Sequence, residues 1–447
     1  MARPEVEAFV LHETRRGAPD SPDELAYRRG FEAEDGAPRE PGPVGAAGPQ
    51  VRLLLAPQDP RDFAARQLGR APLHLPGAPD RFASLFSFRR MAELLAARGL
   101  PPEQLDVFTA TQERVPRARY SREHAARGGR WLDHDALLDL VLRARGSLVL
   151  NALDAHDPGL SALADQLHAW SGQRVNINAY FTPRAGKTFG WHWDGHDVFI
   201  VQVEGRKRWR LFEPAMQHPL ADGSAAAFHE RRERRTPPTD ERTLERGDVL
   251  YLPGGTPHDV AALDQDSLHL SIGLSPIRWS ELLRASFSAA LHDELRRVAT
   301  RAPVGELTGA DAAPTYRALV DRVAGRMHAH ALPELLAAAA REHAQDSIAA
   351  TLRRWSWFLA PPTLTPTTVL RVAAPHARAS AGPEFVALTV GERVLVLHLA
   401  AAAAIAAWLA RGALPIGELA GLAPAEQLRL AAALIERGVA WVEESAP

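Results

Sequence analysis

The stretch from Ser147 to Leu274 restricts the possible folds more than any other part of the sequence, because short apolar runs alternate there with turn residues. The runs read SLVLNAL, VNINAYF, DVFIVQVEG, KRWRLFEP, DVLYLP and SLHLSIGL. Many short strands at this spacing are typical of a β-sandwich or β-barrel. One helical segment, Gly159–Trp170, is predicted between the first two strands. The sequence therefore predicts a β-rich core, and we assign residues 51–276 to it.

The chain on either side of this core has a different character. Residues 1–50 are rich in Pro, Gly and charged residues and are predicted to be a flexible N-terminal extension. Residues 277–360 have the 3.6-residue period of amphipathic helices, predicted over Trp279–Ala299 and over Tyr316–Leu359 with a break at a proline. This region is therefore predicted to be a helical domain.

Residues 361–447 are predicted to form a final, winged-helix-like unit. The predicted elements are strands around Val369–Val372 and Phe385–Leu399, helices Ala401–Arg411, Ile416–Leu419 and Pro424–Gly438, and a terminal strand Val439–Glu443. From Val396 to the end there are three Arg, five Glu and no Lys. Because nucleic-acid binding depends on positive charge, this unit is expected to pack or to dock a partner rather than to bind DNA.

The composition excludes several classes of site. There is no cysteine, which excludes disulfides, zinc–thiolate sites, iron–sulfur clusters and a cysteine nucleophile. The formal net charge of -2 disfavours a dedicated nucleic-acid binder. The most apolar run, Leu395–Leu409, is too short for a membrane span, and the first residues have no apolar signal segment. A cytoplasmic location is expected.

A mixed-charge segment, His229–Arg246, lies between two of the predicted strands. Its composition favours a solvated loop inserted into the barrel. The alternative is a lid that contacts the substrate.

Three residues of the core have the types and spacing of a metal site. His192 and Asp194 are two residues apart, so on a strand both would point to the same side. His258 follows a Pro-Gly-Gly turn that could direct it back towards them. Two imidazoles and one carboxylate form the facial triad of non-haem Fe(II) oxygenases, which leaves positions open for a co-substrate and O₂.

The same assumption of a strand places Trp191 and Trp193 on the side opposite to the two ligand candidates. A lone H-x-D pair is common in a chain with 18 His residues. His196 and Asp197 are also close enough to be alternative ligands.

Strand alternation also selects candidates for an anion-binding pocket. In GRKRWRLF, Lys207 shares its face with Trp209 and Leu211, whereas the three arginines share the other face. The mostly apolar face is expected to look inward, which makes Lys207 the buried cation. Two further polar rows are predicted on strand faces, and they are Asn176, Asn178 and Tyr180, and His269, Ser271 and Gly273.

The run HWDGHDVFIVQVEGRKRWRLF, with GDVLYLPGGTPHDV and SLHLSIGL, closely resembles the JmjC ribosomal oxygenases. The resemblance covers about Val51 to the end. It implies an α+β chain with a double-stranded β-helix core of the JmjC/cupin jelly-roll type. It also implies that residues 277–360 form a helical dimerisation domain and that residues 361–447 form a winged-helix domain.

The resemblance also implies the roles of individual residues. It assigns Fe(II) to the three candidate ligands, and it assigns the co-substrate 2-oxoglutarate to Lys207, with Asn178 and Tyr180 nearby. The family often has a hydroxyl side chain where this chain has Gly273, and Ser271 on the same face is expected to substitute.

The implied activity is hydroxylation of a His or Arg side chain in a protein or peptide, with a ribosomal protein as the first candidate. 2-Oxoglutarate would be converted to succinate and CO₂. The implied assembly is a homodimer, and neither nucleic acid nor a membrane is an expected partner. Three alternatives stay open: the same chemistry on a biosynthetic precursor peptide, demethylation of N-methyl-lysine, and a cupin-like binding module without turnover.

Overall fold

The computed structural model describes residues 10–15, 44–97, 100–123, 129–213, 237–295, 312–332, 363–373, 377–390 and 393–442, with a few single positions between 335 and 359. Within these ranges the chain forms a β-rich core, a helical pair and a C-terminal unit. In this part of the chain, every helix is too short or too polar to cross a bilayer.

Two sheets form the core. The larger contains, from edge to edge, β2 (Leu73–Leu75), β11 (Val249–Leu252), β8 (Asp197–Glu204), β13 (Ser267–Ser275), β7 (Arg174–Thr182), β6 (Ser147–Leu150) and β3 (Leu105–Phe108). The smaller contains β10 (Asp240–Leu244), β9 (Lys207–Leu211) and β12 (His258–Ala262). Every pair in both sheets is antiparallel. Strands of both sheets line one internal cavity, so the two sheets together form a barrel.

Strand β8 shows why the larger sheet is apolar on both faces. Val198 and Ile200 pack inside the barrel against the smaller sheet. Phe199 and Val201 point the other way, into the main hydrophobic core. Burying each such side chain contributes about 1.5–3 kcal/mol, so a strand covered on both faces reads as a continuous apolar run. That is the pattern FIVQV seen in the sequence.

Helices cover the outer face of the larger sheet. They are α1 (Pro49–Leu55), α2 (Pro60–Arg66), α3 (Phe88–Ala96), α4 (His134–Leu138), which continues as a π-helical turn (Asp139–Arg143), and α5 (Pro158–Ser171). The short strands β4 (Ser121–Glu123) and β5 (Arg130–Leu132) form a separate ribbon. In the core beneath the helices, Phe63 packs edge-on to Tyr251 and tilted against Trp170 and Phe199.

The predicted helical insertion Gly159–Trp170 corresponds to α5, and its ends have clear causes. The side chain of Asp157 accepts hydrogen bonds from the backbone N–H groups of Gly159 and Leu160 and caps the first turn. The helix ends at Gly172, whose φ of 69° lies in the left-handed region that favours glycine.

The helical pair follows the barrel. Helix α6 spans Trp279–Leu295 and helix α7 spans Ala312–Ala329. Helix α7 therefore starts before Tyr316 and ends shortly before Pro333, where a break was predicted. Most of the residues predicted to continue as helix to Leu359 lie outside the described residues. Trp279, Leu283 and Phe287 follow one another at intervals of four along α6, and each is about half exposed.

The C-terminal unit has two small sheets and two helices. Its elements are β14 (Val369–Val372), β15 (Arg378–Ala381), β16 (Phe385–Val390), β17 (Arg393–His398), α8 (Ala402–Arg411), β18 (Ala413–Pro415), a 3₁₀ turn (Ile416–Glu418), α9 (Pro424–Glu436) and β19 (Ala440–Val442). The strand expected over Phe385–Leu399 is thus a pair of antiparallel strands. A separate hydrophobic core, centred on Trp408, holds this unit together.

Two expectations for irregular segments are corrected. Strand β1 (Val10–Arg15) lies within the extension expected to be flexible and pairs with β17. Strand β10 lies within the expected loop His229–Arg246 and pairs with β9. In both cases an available strand edge supplies backbone hydrogen bonds that side-chain periodicity does not reveal. Only Leu244 of β10 is buried, so this edge strand has no apolar alternation to detect.

Candidate active site

The barrel contains a partly open cavity of about 810 Å³. Polar and aromatic side chains of four barrel strands and of two loops surround it. They include Thr111, Gln112, Asn178, Tyr180, Thr182, Trp191, His192, Asp194, His196, Lys207, Trp209, His258, His269 and Ser271. The three predicted metal ligands and the predicted co-substrate contacts therefore line one cavity, whereas the alternative ligand Asp197 does not.

The three candidate metal ligands meet at one point of this cavity. One ligand atom from each of His192, Asp194 and His258 lies within 4.8 Å of the others. The Nε2 atom of His258 is 3.9 Å from Oδ2 of Asp194, and the two imidazole centroids are 4.3 Å apart. This spacing is suitable for a single ion held by all three side chains.

Backbone pairing fixes the two imidazoles relative to each other. His192 and His258 form an isolated antiparallel bridge, in which each backbone N–H donates to the other residue's carbonyl, with N to O distances of 3.0 and 2.7 Å. Nδ1 of His192 lies 2.8 Å from the carbonyl of Gly190, and Nδ1 of His258 lies 3.0 Å from the carbonyl of Thr256. Each carbonyl accepts a hydrogen bond from Nδ1–H, which leaves the lone pair of Nε2 free to bind a metal, as in metal-binding histidines.

The charges of the cluster favour metal binding at neutral pH. Burial would raise the pKa of Asp194, but the imidazoles around it, His258 and His192 above all, hold that pKa below its ordinary value. Burial and the nearby His192 lower the pKa of His258 to about 4, against the opposing effect of Asp194. An ionised carboxylate and a neutral imidazole are the protonation states that a divalent cation requires.

The structure corrects the reasoning that led to this cluster. His192 and Asp194 lie before β8, which begins only at Asp197, so strand alternation does not apply to them. Trp191 lines the cavity although it was expected to point away, whereas Trp193 is buried elsewhere. The ligand residues converge because of the bridge between His192 and His258, not because of a regular strand.

Of the two alternative ligands, Asp197 has a structural role. Its Oδ2 accepts a hydrogen bond from the hydroxyl of Tyr251 at 2.6 Å, and its Oδ1 accepts one from the N–H of Gly254 at 2.9 Å. The Tyr251 hydroxyl accepts in turn from the N–H of Gly69 at 2.6 Å. This network holds the Pro-Gly-Gly turn that precedes His258.

Lys207 lies deep in the same cavity and is only 2 % exposed. Trp209 and Leu211 are buried beside it, and Arg208 and Arg210 are half-buried on the other face, as alternation predicts. The ammonium group of Lys207 donates to Oγ1 of Thr182 and to Nδ1 of His269, both at 2.8 Å. Burial lowers the pKa of Lys207 well below its ordinary value, because the charged ammonium is desolvated here. A bound anion that pairs with the ammonium group would offset this cost.

Three more predicted contacts lie on neighbouring strands. The Tyr180 ring faces the cavity, and burial, with the nearby charge of Asp194, raises the pKa of its hydroxyl. Asn178 also faces the cavity, but its Oδ1 accepts from the N–H of Ala152 at 2.9 Å, so part of its hydrogen-bonding capacity serves the fold. Ser271 lines the cavity opposite Asn178 in the sheet register.

The ring of His196 occupies the space where a side chain at Gly273 would lie. A Cβ atom at Gly273 would lie 2.7 Å from both Cδ2 and Nε2 of the His196 ring. This imidazole lines the cavity but is not part of the ligand cluster. The chain therefore has a histidine from another segment where the family resemblance led us to expect a hydroxyl.

Two residues at the deep end were not singled out from the sequence. His269 and Thr182 are the hydrogen-bond partners of Lys207. The available signal was weak. His269 had been placed on the same face as Ser271, and Thr182 lies two residues beyond Tyr180, the period that keeps side chains on one face.

The donor set of this cavity fits a non-haem iron site with a carboxylate co-substrate. Two imidazoles and one carboxylate form the facial triad typical of non-haem Fe(II) oxygenases, and their hydrogen-bonded Nδ1 atoms fix the ligand tautomers. The buried ammonium of Lys207, in the same cavity, matches the distal carboxylate of 2-oxoglutarate.

Comparison with known proteins agrees with this fit. Residues 155–282 match the JmjC domain family. The chain is 30% identical to the bifunctional lysine-specific demethylase and histidyl-hydroxylase NO66 of Drosophila yakuba over 198 residues, 44% of this chain and 28% of that protein. It is 34% identical to ribosomal oxygenase 2 of Bos taurus over 146 residues, 32% of this chain and 30% of that protein.

A third relative, ribosomal oxygenase 1 of Gallus gallus, is 30% identical over 244 residues, 54% of this chain and 39% of that protein. The chain thus spans about a third of the length of the curated relatives it matches. Among solved structures, YcfD of Escherichia coli is 21% identical with a TM-score of 0.48, covering 86% of this chain and 98% of that one. Another YcfD structure, in complex with cobalt and 2-oxoglutarate, is 19% identical with a TM-score of 0.44, covering 87% of this chain and 99% of that one.

Proposed function

Because this chain carries a JmjC domain and is a homologue of the ribosomal oxygenases, we propose that it is an Fe(II)- and 2-oxoglutarate-dependent oxygenase that hydroxylates a protein side chain. One observation carries the proposal. The cluster of His192, Asp194 and His258 shares one cavity with the buried cation Lys207. A binding module without turnover would have no use for this combination.

The proposed roles follow from the chemistry of each group. Nε2 of His192, the carboxylate of Asp194 and Nε2 of His258 hold Fe(II). The ammonium of Lys207 binds the distal carboxylate of 2-oxoglutarate, with Tyr180, Asn178 and Ser271 as further polar contacts. When bound, iron would supply the oxidising chemistry, in which 2-oxoglutarate, O₂ and one C–H bond are converted to succinate, CO₂ and an alcohol. The protein contributes ligand geometry and a cavity that limits access of water.

We infer that the substrate is a histidine or arginine side chain in a ribosomal protein. The relatives named ribosomal oxygenases and histidyl-hydroxylase support this choice. The same NO66 relatives are also named lysine-specific demethylases, so demethylation of N-methyl-lysine is the second candidate. Gln112 and Trp191 also line the cavity, and Gln112 is exposed, so we propose that a peptide substrate reaches the cavity from this side.

We also propose functions for the two regions that follow the barrel, and we propose that the protein is a homodimer. Residues 277–360 would form the dimerisation domain and residues 361–447 the winged-helix domain. The row of half-exposed Trp279, Leu283 and Phe287 on α6 supports an interface with a second copy, since adjoining exposed apolar side chains mark contact surfaces. A cytoplasmic location stays a prediction.

The decisive experiment combines turnover with identification of the substrate. Purified protein is incubated with Fe(II), 2-oxoglutarate, O₂ and ribosomal proteins from the host, and succinate and intact protein masses are followed. We expect succinate formation that depends on a protein substrate, and a mass gain of one oxygen atom on one ribosomal protein. Release of formaldehyde from a methyl-lysine peptide would favour the second candidate. Absence of 2-oxoglutarate consumption with every substrate would contradict the proposal.

A further inference from the structure

The buried Lys207 has a histidine as one of its two hydrogen-bond acceptors, and the roles proposed above do not use that histidine. Nζ of Lys207 lies 2.8 Å from Nδ1 of His269. An ammonium group has three donors and no acceptor, so Nδ1 must accept. His269 must therefore be neutral, with its ring proton on Nε2.

The ring of His269 is held in place from two directions. It stacks on Tyr180 with centroids 4.9 Å apart and an angle of 6° between the planes. Trp209 meets it edge to face at 5.6 Å and 80°. With only 5 % of the residue exposed, the ring has little freedom to turn, and it presents Nδ1 to Lys207 in a fixed direction.

The second acceptor completes a cradle for the ammonium group. Oγ1 of Thr182 accepts from Nζ of Lys207 at 2.8 Å and is itself 2.9 Å from Oγ1 of Thr188. Two of the three N–H donors of Lys207 are thus taken. Because Lys207 lines the cavity, the third donor and the full positive charge are left for a single acceptor there.

We propose that His269 is a positioning residue, which together with Thr182 orients the Lys207 ammonium towards the distal carboxylate of a 2-oxo dicarboxylic acid. The inference rests on the proposed function and deepens it. It gives His269 a part in selecting 2-oxo acids that have a second carboxylate over those that lack one, although His269 touches neither the metal nor the reacting carbon.

The electrostatic surroundings support a neutral His269. Burial and the charge of Lys207 lower the pKa of His269 well below its ordinary value. A protonated ring would set two positive charges in contact and remove the acceptor that fixes the ammonium group.

The test separates distal-carboxylate binding from metal binding. His269→Phe keeps a ring that can stack on Tyr180 but has no acceptor, whereas His269→Asn keeps a polar atom near the position of Nδ1. Each full-length protein is loaded with Mn(II), which does not support turnover, and titrated calorimetrically with 2-oxoglutarate and with pyruvate, which lacks the distal carboxylate. Mn(II) affinity is measured separately.

We expect His269→Phe to weaken 2-oxoglutarate binding by about 10- to 100-fold, the size of one charged hydrogen bond. Binding of pyruvate and of Mn(II) should stay near the wild-type values, and His269→Asn should recover most of the lost affinity. An equal loss for pyruvate and 2-oxoglutarate, or a loss of Mn(II) binding, would overturn the positioning role. Wild-type protein that binds pyruvate but not 2-oxoglutarate would overturn the proposed function itself.

A measurement on the wild-type protein keeps the inference testable if His269→Phe does not fold. ¹⁵N-histidine labelling and NMR report which ring nitrogen carries the proton in each histidine. The proposal requires the Nε2–H tautomer for His269, assigned by comparison with His269→Asn. A proton on Nδ1 would exclude the hydrogen bond from Lys207 and overturn the proposal.

Discussion

The interior of the barrel and the core of the C-terminal unit differ in the kinds of residue that they bury. The barrel buries Lys207, His258 and His269 alongside its apolar side chains. In the described part of the C-terminal unit, Thr389 is the single polar residue of the buried set, and Trp408 lies at the centre of an otherwise apolar core.

This difference supports placing the proposed activity in the barrel and not in the C-terminal unit. Burying a cation costs several kcal/mol unless good partners compensate for it, and the hydrogen bonds from Lys207 to one hydroxyl and one neutral imidazole offset only part of that cost. A protein keeps such a group when activity requires it, even though stability suffers. The apolar core of the C-terminal unit has no comparable cost, which suits a unit that packs or docks. Four changes test this contrast.

The largest effect is expected from Asp194→Ala. Loss of the only carboxylate in the ligand cluster should lower the affinity for Fe(II) or Mn(II) by more than about 100-fold, since even groups that merely orient ligands cost 10–100-fold. Substrate-dependent succinate formation should fall to background. Asp264→Ala removes an exposed carboxylate paired with Arg206 and is the matched control, with unchanged metal binding. Normal turnover by Asp194→Ala would refute the ligand assignment.

The second effect concerns the stability of the C-terminal unit. Trp408 is fully buried and its Nε1 donates to the carbonyl of Leu370 at 3.0 Å. Trp408→Ala should lower the free energy of unfolding by about 3–5 kcal/mol, measured by denaturant titration. Phe385→Ala, at an exposed aromatic of the same unit, should have little effect.

Metal and 2-oxoglutarate affinities of folded Trp408→Ala should equal those of the wild type, because none of the described residues of the C-terminal unit lines the active-site cavity. A loss of 2-oxoglutarate affinity in the folded variant would show that the barrel depends on this unit, and the contrast between the two regions would fail.

The third effect is a gain of stability at the expense of function. Lys207→Met should weaken 2-oxoglutarate binding by about 10- to 150-fold, the equivalent of 1.5–3 kcal/mol for a hydrogen bond to a charged group. The melting temperature at pH 7 should stay the same or rise. Arg208→Met, on the outer face of the same strand, should change neither quantity by a comparable amount.

The stability gain of Lys207→Met should depend on pH. The folded-state pKa of Lys207 lies well below the ordinary value of 10.5, so between these two values the unfolded chain binds a proton that the folded chain does not. Wild-type stability therefore rises with pH across that window. The advantage of Lys207→Met should be larger at pH 7 than at pH 10, and a constant difference would argue against a perturbed lysine.

The smallest effect is expected from Gly273→Ser. The new Cβ would lie 2.7 Å from the His196 ring, but that ring is half-buried at the end of a side chain and can turn aside. Stability should fall by about 1 kcal/mol or less, at the low end for overpacking. In a His196→Ala background the same change should be neutral. A double-mutant cycle on unfolding free energies measures this coupling, and strict additivity would show that the two residues do not interact.

Particular residues show how much of the structure could be predicted from the sequence. The inward face of Lys207 was predictable because successive strand side chains point to opposite faces whatever the fold. The strand order was not, since β8 pairs with β11 and β13, and a period of two contains no information about partners. Strand β10 escaped notice because its exposed, charged side chains lack the alternation that marks a half-buried strand.

The sequence by itself predicted the ligand types proposed for this protein: two histidines and an aspartate suited to Fe(II), no thiolate, and one inward-facing lysine. Only the tertiary structure decided which carboxylate serves the cluster, because Asp194 and Asp197 differ in their hydrogen-bond partners and not in type. It alone brought His269 to Lys207, across 62 residues of chain. Local side-chain patterns fix which face of a strand a residue occupies, whereas contacts between distant strands depend on how the sheets pair and close.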